Sequence, residues 1–124
     1  MKTKIMIVDD AAVARRILKS CIPKAEEYEF YEAEDGEEAI EIFNKIEPEL
    51  TFLDINMPKL DGLDCLEQIK RYKPEACVVM CSGDIQPRSL DKANELGAFC
   101  VIKKPPTREI VQATLVKAWE AYKK

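Results

Sequence analysis

The chain has 124 residues, of which 47% are hydrophobic and 34% charged, with a formal net charge of −4 and no histidine. That length and balance suit one soluble globular domain with a single core. The acidic balance argues against nucleic acid as the main partner, because phosphate backbones demand clustered Lys and Arg, and no apolar run is long enough to cross a bilayer. Without histidine, a Cys/His zinc site, a Ser-His-Asp triad and a Cys-His pair are all excluded.

The opening Met1-Lys2-Thr3-Lys4 leads straight into strand-type residues, so no signal peptide is expected. The first strand is predicted over Lys4–Val8. A helix follows from Ala11 to about Ile22, stopped by Pro23. The second strand, about Glu29–Ala33, is interrupted by acidic residues. The second helix runs from Gly36 to Ile46, with Ala39, Ile40 and Phe43 at helical spacing. Leu50–Leu53 reads as a buried third strand that runs directly into Asp54. The third helix spans Leu63–Tyr72, and Cys77–Cys81 forms an apolar fourth strand. The fourth helix spans Pro87–Leu96 and ends at Gly97, a good left-handed cap. Phe99–Ile102 is the fifth strand. The last helix opens near Thr107, a plausible N-cap, and continues to about Tyr122. The five cysteines are odd in number, lie in apolar stretches and form no C-x-x-C. Reduced core thiols, as in a cytoplasmic protein, are the expectation.

Five strands alternating with five helices predict an α/β fold: a parallel sheet covered on both faces, with right-handed crossovers. Ligands of such sheets bind beyond the carboxyl ends of the strands. Four of those ends carry chemistry here. They are Asp9-Asp10, Asp54, Ser82-Gly83 and Lys103-Lys104-Pro105. A charge at the end of a strand covered on both faces needs a partner or a task. Two carboxylates 4 Å apart repel by about 4 kcal/mol at an effective dielectric near 20. Three of them need a cation or a raised pKa. Mg²⁺ suits such a cluster, because it takes oxygen ligands and keeps several waters. Asp9, Asp10 and Asp54 are the candidate ligands, with a backbone carbonyl near Asn56. A carboxylate so held, near a Lys ammonium and a Ser hydroxyl, is equipped for phosphoryl transfer. Asp54 would be the nucleophile, with Lys104 and Ser82 neutralising charge on the transferred group. Gly83 would let a backbone N–H come close to that group.

These residues resemble the receiver domain of two-component response regulators, the CheY-like family. The resemblance covers essentially the whole chain. It rests on the acidic pair after strand one, the D-x-x-M-P-x-x-D-G run at Asp54–Gly62, Ser82 after strand four and Lys-Pro after strand five. It implies a doubly wound, flavodoxin-like sheet of order 2-1-3-4-5 and a single receiver domain over residues 1–124, with no output domain. It implies Asp54 as phosphoacceptor, Asp10 as a direct Mg²⁺ ligand with Asp9 in support, and Asn56 as the donor of a metal-binding carbonyl. Ser82 is then the hydroxyl that turns toward the phosphoryl group. Lys104, which precedes Pro105 across a bond often cis in the family, is the lysine, with Lys103 ranked second. The family's switch couples that hydroxyl to an aromatic on strand five. Val101 stands at the matching position here, and Phe99, two residues earlier, is expected on the same sheet face. Pro106 stands where many members carry an aromatic after Lys-Pro, and a flagellar-motor partner leans on that surface.

The implied partners are a histidine kinase or histidine phosphotransfer protein as phosphoryl donor, and a downstream protein whose identity is open. Such a protein works in the cytoplasm, without nucleic acid or membrane, and is no enzyme beyond its own phosphorylation and slow dephosphorylation. Ala11, Ala12 and Val13 beside the acidic pair offer small apolar residues for docking on a partner's helical bundle. Asn56 and Asp84 flank the site and are placed to tune the lifetime of the acyl phosphate. A phosphorelay intermediate that passes phosphoryl onward is an alternative, as is a receiver used as an interaction module without phosphorylation. A Mg²⁺-dependent aspartyl phosphatase would place a second Asp two residues after the nucleophile. Asn56 stands there and cannot donate the proton. A flavin carrier of this topology needs a phosphate-cradling loop after strand one, and Asp9-Asp10 would repel the phosphate.

Overall fold

The computed structural model describes residues 2–122. The elements in chain order are β1 (Thr3–Val8), α1 (Ala12–Ser20), a 3₁₀ turn (Ala25–Glu27), β2 (Tyr28–Ala33), α2 (Gly36–Ile46) and β3 (Leu50–Asp54). Then follow α3 (Gly62–Tyr72), β4 (Val78–Ser82), α4 (Pro87–Glu95), β5 (Cys100–Lys103) and α5 (Arg108–Tyr122). The five strands form one sheet in the order β2-β1-β3-β4-β5, and every neighbouring pair is parallel. This is the flavodoxin-like order that the family resemblance implies.

The period of two along each strand divides the core between two faces. Met6, Val8, Leu53 and Met80 meet Ala39, Phe43, Cys65, Leu66, Ile69 and Ala93 of α2, α3 and α4. Ile5, Ile7, Phe52, Val79 and Ile102 meet Leu18, Val111, Leu115 and Ala118 of α1 and α5. The central strands β3 and β4 are buried at every position, as continuous apolar runs in a parallel sheet should be.

Several boundaries differ from the sequence expectation by one or two residues. α1 ends at Ser20 rather than Ile22. Pro23 disfavours helical backbone before it, so Cys21 and Ile22 tighten into i→i−3 turns, donating to Leu18 O and Lys19 O at 3.0 and 3.1 Å. β2 starts one residue earlier, at Tyr28, and lies at the sheet edge, where the acidic Glu29 and Glu32 stay partly in water. β4 and β5 each start and end one residue later than expected, so Ser82 and Lys103 pair across the ladder. Phe99 does not share a face with Val101. It lies in a bend before β5 and packs with the α1 and α5 core, whereas Val101 packs with the α2–α4 core. The bend follows Gly97, whose φ of +92° disfavours any residue with a Cβ.

Candidate functional site

Parity along the strands explains which polar side chains meet. Asp9 and Asp54 follow Val8 and Leu53, which face α2–α4, so both point toward the α1 and α5 side of the rim. Lys104, two residues beyond Ile102, has the same parity, and Lys103 has the opposite one. Lys104 Nζ donates to Asp9 Oδ2 and stands 3.3 Å from Asp54 Oδ2. Lys103 is exposed and joins no ion pair among the described residues. The Lys104–Pro105 peptide is cis.

Asp9 and Asp54 are each only 6% exposed, while Asp10 is open to solvent. Carboxylate oxygens of Asp9, Asp10 and Asp54 lie within 4.8 Å of one another. The donor set is all hard oxygen, compact and open on the Asp10 side, which fits a small divalent cation that keeps part of its water. Asn56 is exposed at the same rim, and its N–H donates to Asp54 Oδ1 at 3.4 Å. Burial, followed by the neighbouring Asp9 charge, pushes the Asp54 carboxyl up from the usual range, with Lys104 opposing. Burial pulls the Lys104 ammonium down. The hydrogen bond it donates to Asp9 and the charges of Asp54 and Asp9 more than offset it, so its pKa is raised.

Ser82, fully buried, lies on the opposite parity. Its Oγ donates to the Asp84 carbonyl at 3.0 Å and accepts from Asp84 N–H at 3.2 Å, so the hydroxyl is held in a local turn. A Cβ added to Gly83 would meet nothing within 4 Å, so no protein atom demands glycine there and space lies open beside the rim. Gly62 is different. A Cβ there would collide with the Asp54 carbonyl, and its N–H donates to Ile55 O at 2.8 Å, so its bare backbone lets α3 start directly beneath the rim. Asp61 caps that helix by accepting from Asp64 N–H at 3.0 Å.

Sequence reasoning missed one residue at this rim. Arg15 Nη1 donates to the Asp9 carbonyl and Arg15 Nε to Glu32 Oε1, both at 2.7 Å. The pair spans 17 positions and joins α1 to β2, so no local pattern signals it. Ala11, Ala12 and Val13, expected at a docking surface, are all exposed.

The larger hollows lie elsewhere. One of about 530 Å³ sits between α2 and α3 and one of about 200 Å³ at the amino end of β4, lined by Cys77 and Phe99; a third, of about 280 Å³, lies beside Pro23 and Arg108. Glu37, Glu41 and Lys59 line the first, and no strand-end residue of the rim lines any of them. Behind Lys104, Asp9 and Cys81 there is room for about 20 Å³ only. The rim is therefore an open, charged shelf rather than a pocket for an organic ligand. No helix among the described residues is long and apolar enough to cross a membrane.

Residues 5–115 match the family described as the response regulator receiver domain. The chain is 37% identical over 115 residues to the chemotaxis protein CheY of Listeria monocytogenes, covering 93% of this chain and 97% of that one. It is 36% identical over 112 residues to the chemotaxis protein CheY of Thermotoga maritima, covering 89% and 93%. Its fold superposes on a CheY-like response regulator receiver domain protein from Methanospirillum hungatei with a TM-score of 0.91 at 21% identity, covering 99% and 98%.

Proposed function

The chain belongs to the response regulator receiver domain family, and from that premise we propose that it takes a phosphoryl group onto Asp54 from a phosphohistidine of a histidine kinase or phosphotransfer protein. The observation that carries this reading is the meeting of the Asp9, Asp10 and Asp54 carboxylates with the Lys104 ammonium at one rim. An Asp54 oxygen attacks phosphorus, the bond from phosphorus to the donor imidazole nitrogen breaks, and that nitrogen keeps the electron pair. Asp9, Asp10, Asp54 and the Asn56 carbonyl would hold Mg²⁺, which when bound supplies positive charge for the phosphoryl oxygens. Lys104 is already 3.3 Å from Asp54 and holds its ammonium where charge on the transferred group develops.

The output is a change in partner binding. Ser82 leaves its turn with Asp84 and bonds the new phosphoryl oxygens, which biases the face built from α4, β5 and α5. Moving a population from 1:99 to 99:1 takes about 5.5 kcal/mol of differential interaction, and a dianion that contacts Ser82 and Lys104 in one state supplies much of it. Residues 1–124 act in this reading as one receiver domain working through a partner rather than by turnover of a small substrate.

The test is intact-mass analysis after incubation with acetyl phosphate and Mg²⁺. Wild type gains one phosphoryl group and Asp54→Asn gains none. Ser82→Ala still gains it but loses the phosphorylation-dependent change in the amide NMR shifts of α4 and β5. Labelling of Asp54→Asn at the wild-type level would remove Asp54 from its role.

A further inference from the structure

Among the polar groups around the rim, Arg15 is the one with a defined tether and no part in the chemistry above. Its side chain is only 11% exposed. It donates to two acceptors at once, the main-chain carbonyl of Asp9 and the carboxylate of Glu32, each at 2.7 Å. Both distances are at the short, charge-assisted end for N–H···O bonds. Glu32 is in turn steadied by Lys19 Nζ at 3.4 Å on its other oxygen. The Arg15 bond holds the Glu32 carboxyl below the usual range, with burial opposing.

The acceptor on Asp9 matters because of where it lies. β1 ends at Val8, so the Asp9 carbonyl belongs to the first peptide unit past the strand. That unit is planar and carries the N–H of Asp10 at its other end. Turning it turns Asp10 away from Asp9 and Asp54. The residues on either side are already fixed. Asp9 N–H donates to Ala33 O at 3.1 Å, Ala11 N–H donates to Asp9 Oδ1 at 2.9 Å, and Arg15 N–H closes on Ala11 O at 3.2 Å. The Asp9–Asp10 peptide is the remaining degree of freedom, and the guanidinium removes it. Only a planar fork spans these two acceptors; a lysine ammonium is a single point charge.

We propose that Arg15, braced by Glu32 of β2, is a positioning residue that sets the Asp9–Asp10 peptide so that the exposed Asp10 carboxylate converges on the cation site. This rests on the reading of Asp10 as a metal ligand. It also has a sign of its own. Arg15 is a cation close to the place a divalent ion would take, so by charge alone its removal tightens metal binding. Positioning makes the opposite demand.

The experiment is titration with Mn²⁺ alone, following free Mn²⁺ by electron paramagnetic resonance. Each variant is first shown to be folded by a cooperative thermal melt. Arg15→Met weakens Mn²⁺ binding about tenfold, the lower end for loss of an outer partner of a metal ligand. Arg15→Lys keeps the charge and loses the fork, so charge alone predicts no change whereas positioning predicts weaker binding. It also carries the test if Arg15→Met does not fold. Unchanged or tighter binding in either folded variant overturns the proposal. A wild type that takes phosphoryl from acetyl phosphate yet shows this result loses only the role of Arg15. A wild type that neither binds Mn²⁺ nor takes phosphoryl loses the underlying reading as well.

Discussion

The bodies of the central strands and their last residues are buried alike and behave oppositely. Leu53 is 0% exposed and its neighbour Asp54 6%; Val8 is 2% exposed and its neighbour Asp9 6%. In the strand bodies that burial stabilises the fold by about 1.5–3 kcal/mol per large apolar side chain. One residue later the same burial costs stability, because two carboxylates lose water and face each other. Lys104 offsets part of the cost with one ammonium for two acids. Stability is thus gathered in the sheet and given up at its rim, where the unbalanced negative charge is what a cation can neutralise.

Leu53→Ala tests the body of this contrast. It empties a fully buried site beside Met6, Val8 and Met80, and should cost about 3 kcal/mol in urea unfolding. Lys104→Ala tests the rim. It leaves Asp9 and Asp54 buried without a counter-charge and should cost about 2 kcal/mol in metal-free buffer, below the cost at a fully buried pair because the ammonium is 25% exposed. A loss from Lys104→Ala equal to that from Leu53→Ala would erase the distinction. The smallest effect has the opposite sign. The folded pKa of Asp54 is raised above its unfolded value. Its contribution is therefore fully present below the ordinary carboxylate pKa and is lost as pH rises through the raised one. Asp54→Asn, with nothing to ionise, should be more stable than wild type in EDTA near neutral pH, and the difference should shrink toward about pH 4. A gap that stays constant across that range would show that burial of the charge is not its origin.

Much of this contrast is written locally. Phe52-Leu53-Asp54 already places an acid on an apolar strand, and Val8-Asp9-Asp10 repeats it. Alternation of strand and helix patterns then fixes one rim for both. The D-x-x-M-P-x-x-D-G run also marked Gly62, though its reason, the closeness of the Asp54 carbonyl, is tertiary. Two features left no local trace. The Arg15–Glu32 brace joins α1 to β2 across the fold. The face taken by Phe99 is decided by a bend, which breaks the period-two rule that placed it with Val101.

By itself the amino-acid order determined which side chains are apolar at which period, where proline and glycine stop the elements, and hence a parallel α/β sheet with acids, a hydroxyl and an amine at its strand ends. Those are properties of neighbours within a few residues, governed by sterics and solvation. Only the assembled molecule decided that Ser82 is held by Asp84, that Phe99 and Val101 pack on opposite faces, and that Arg15 bonds the Asp9 carbonyl. Those depend on register and on which way a side chain leaves the sheet, and a shift of one residue reverses both.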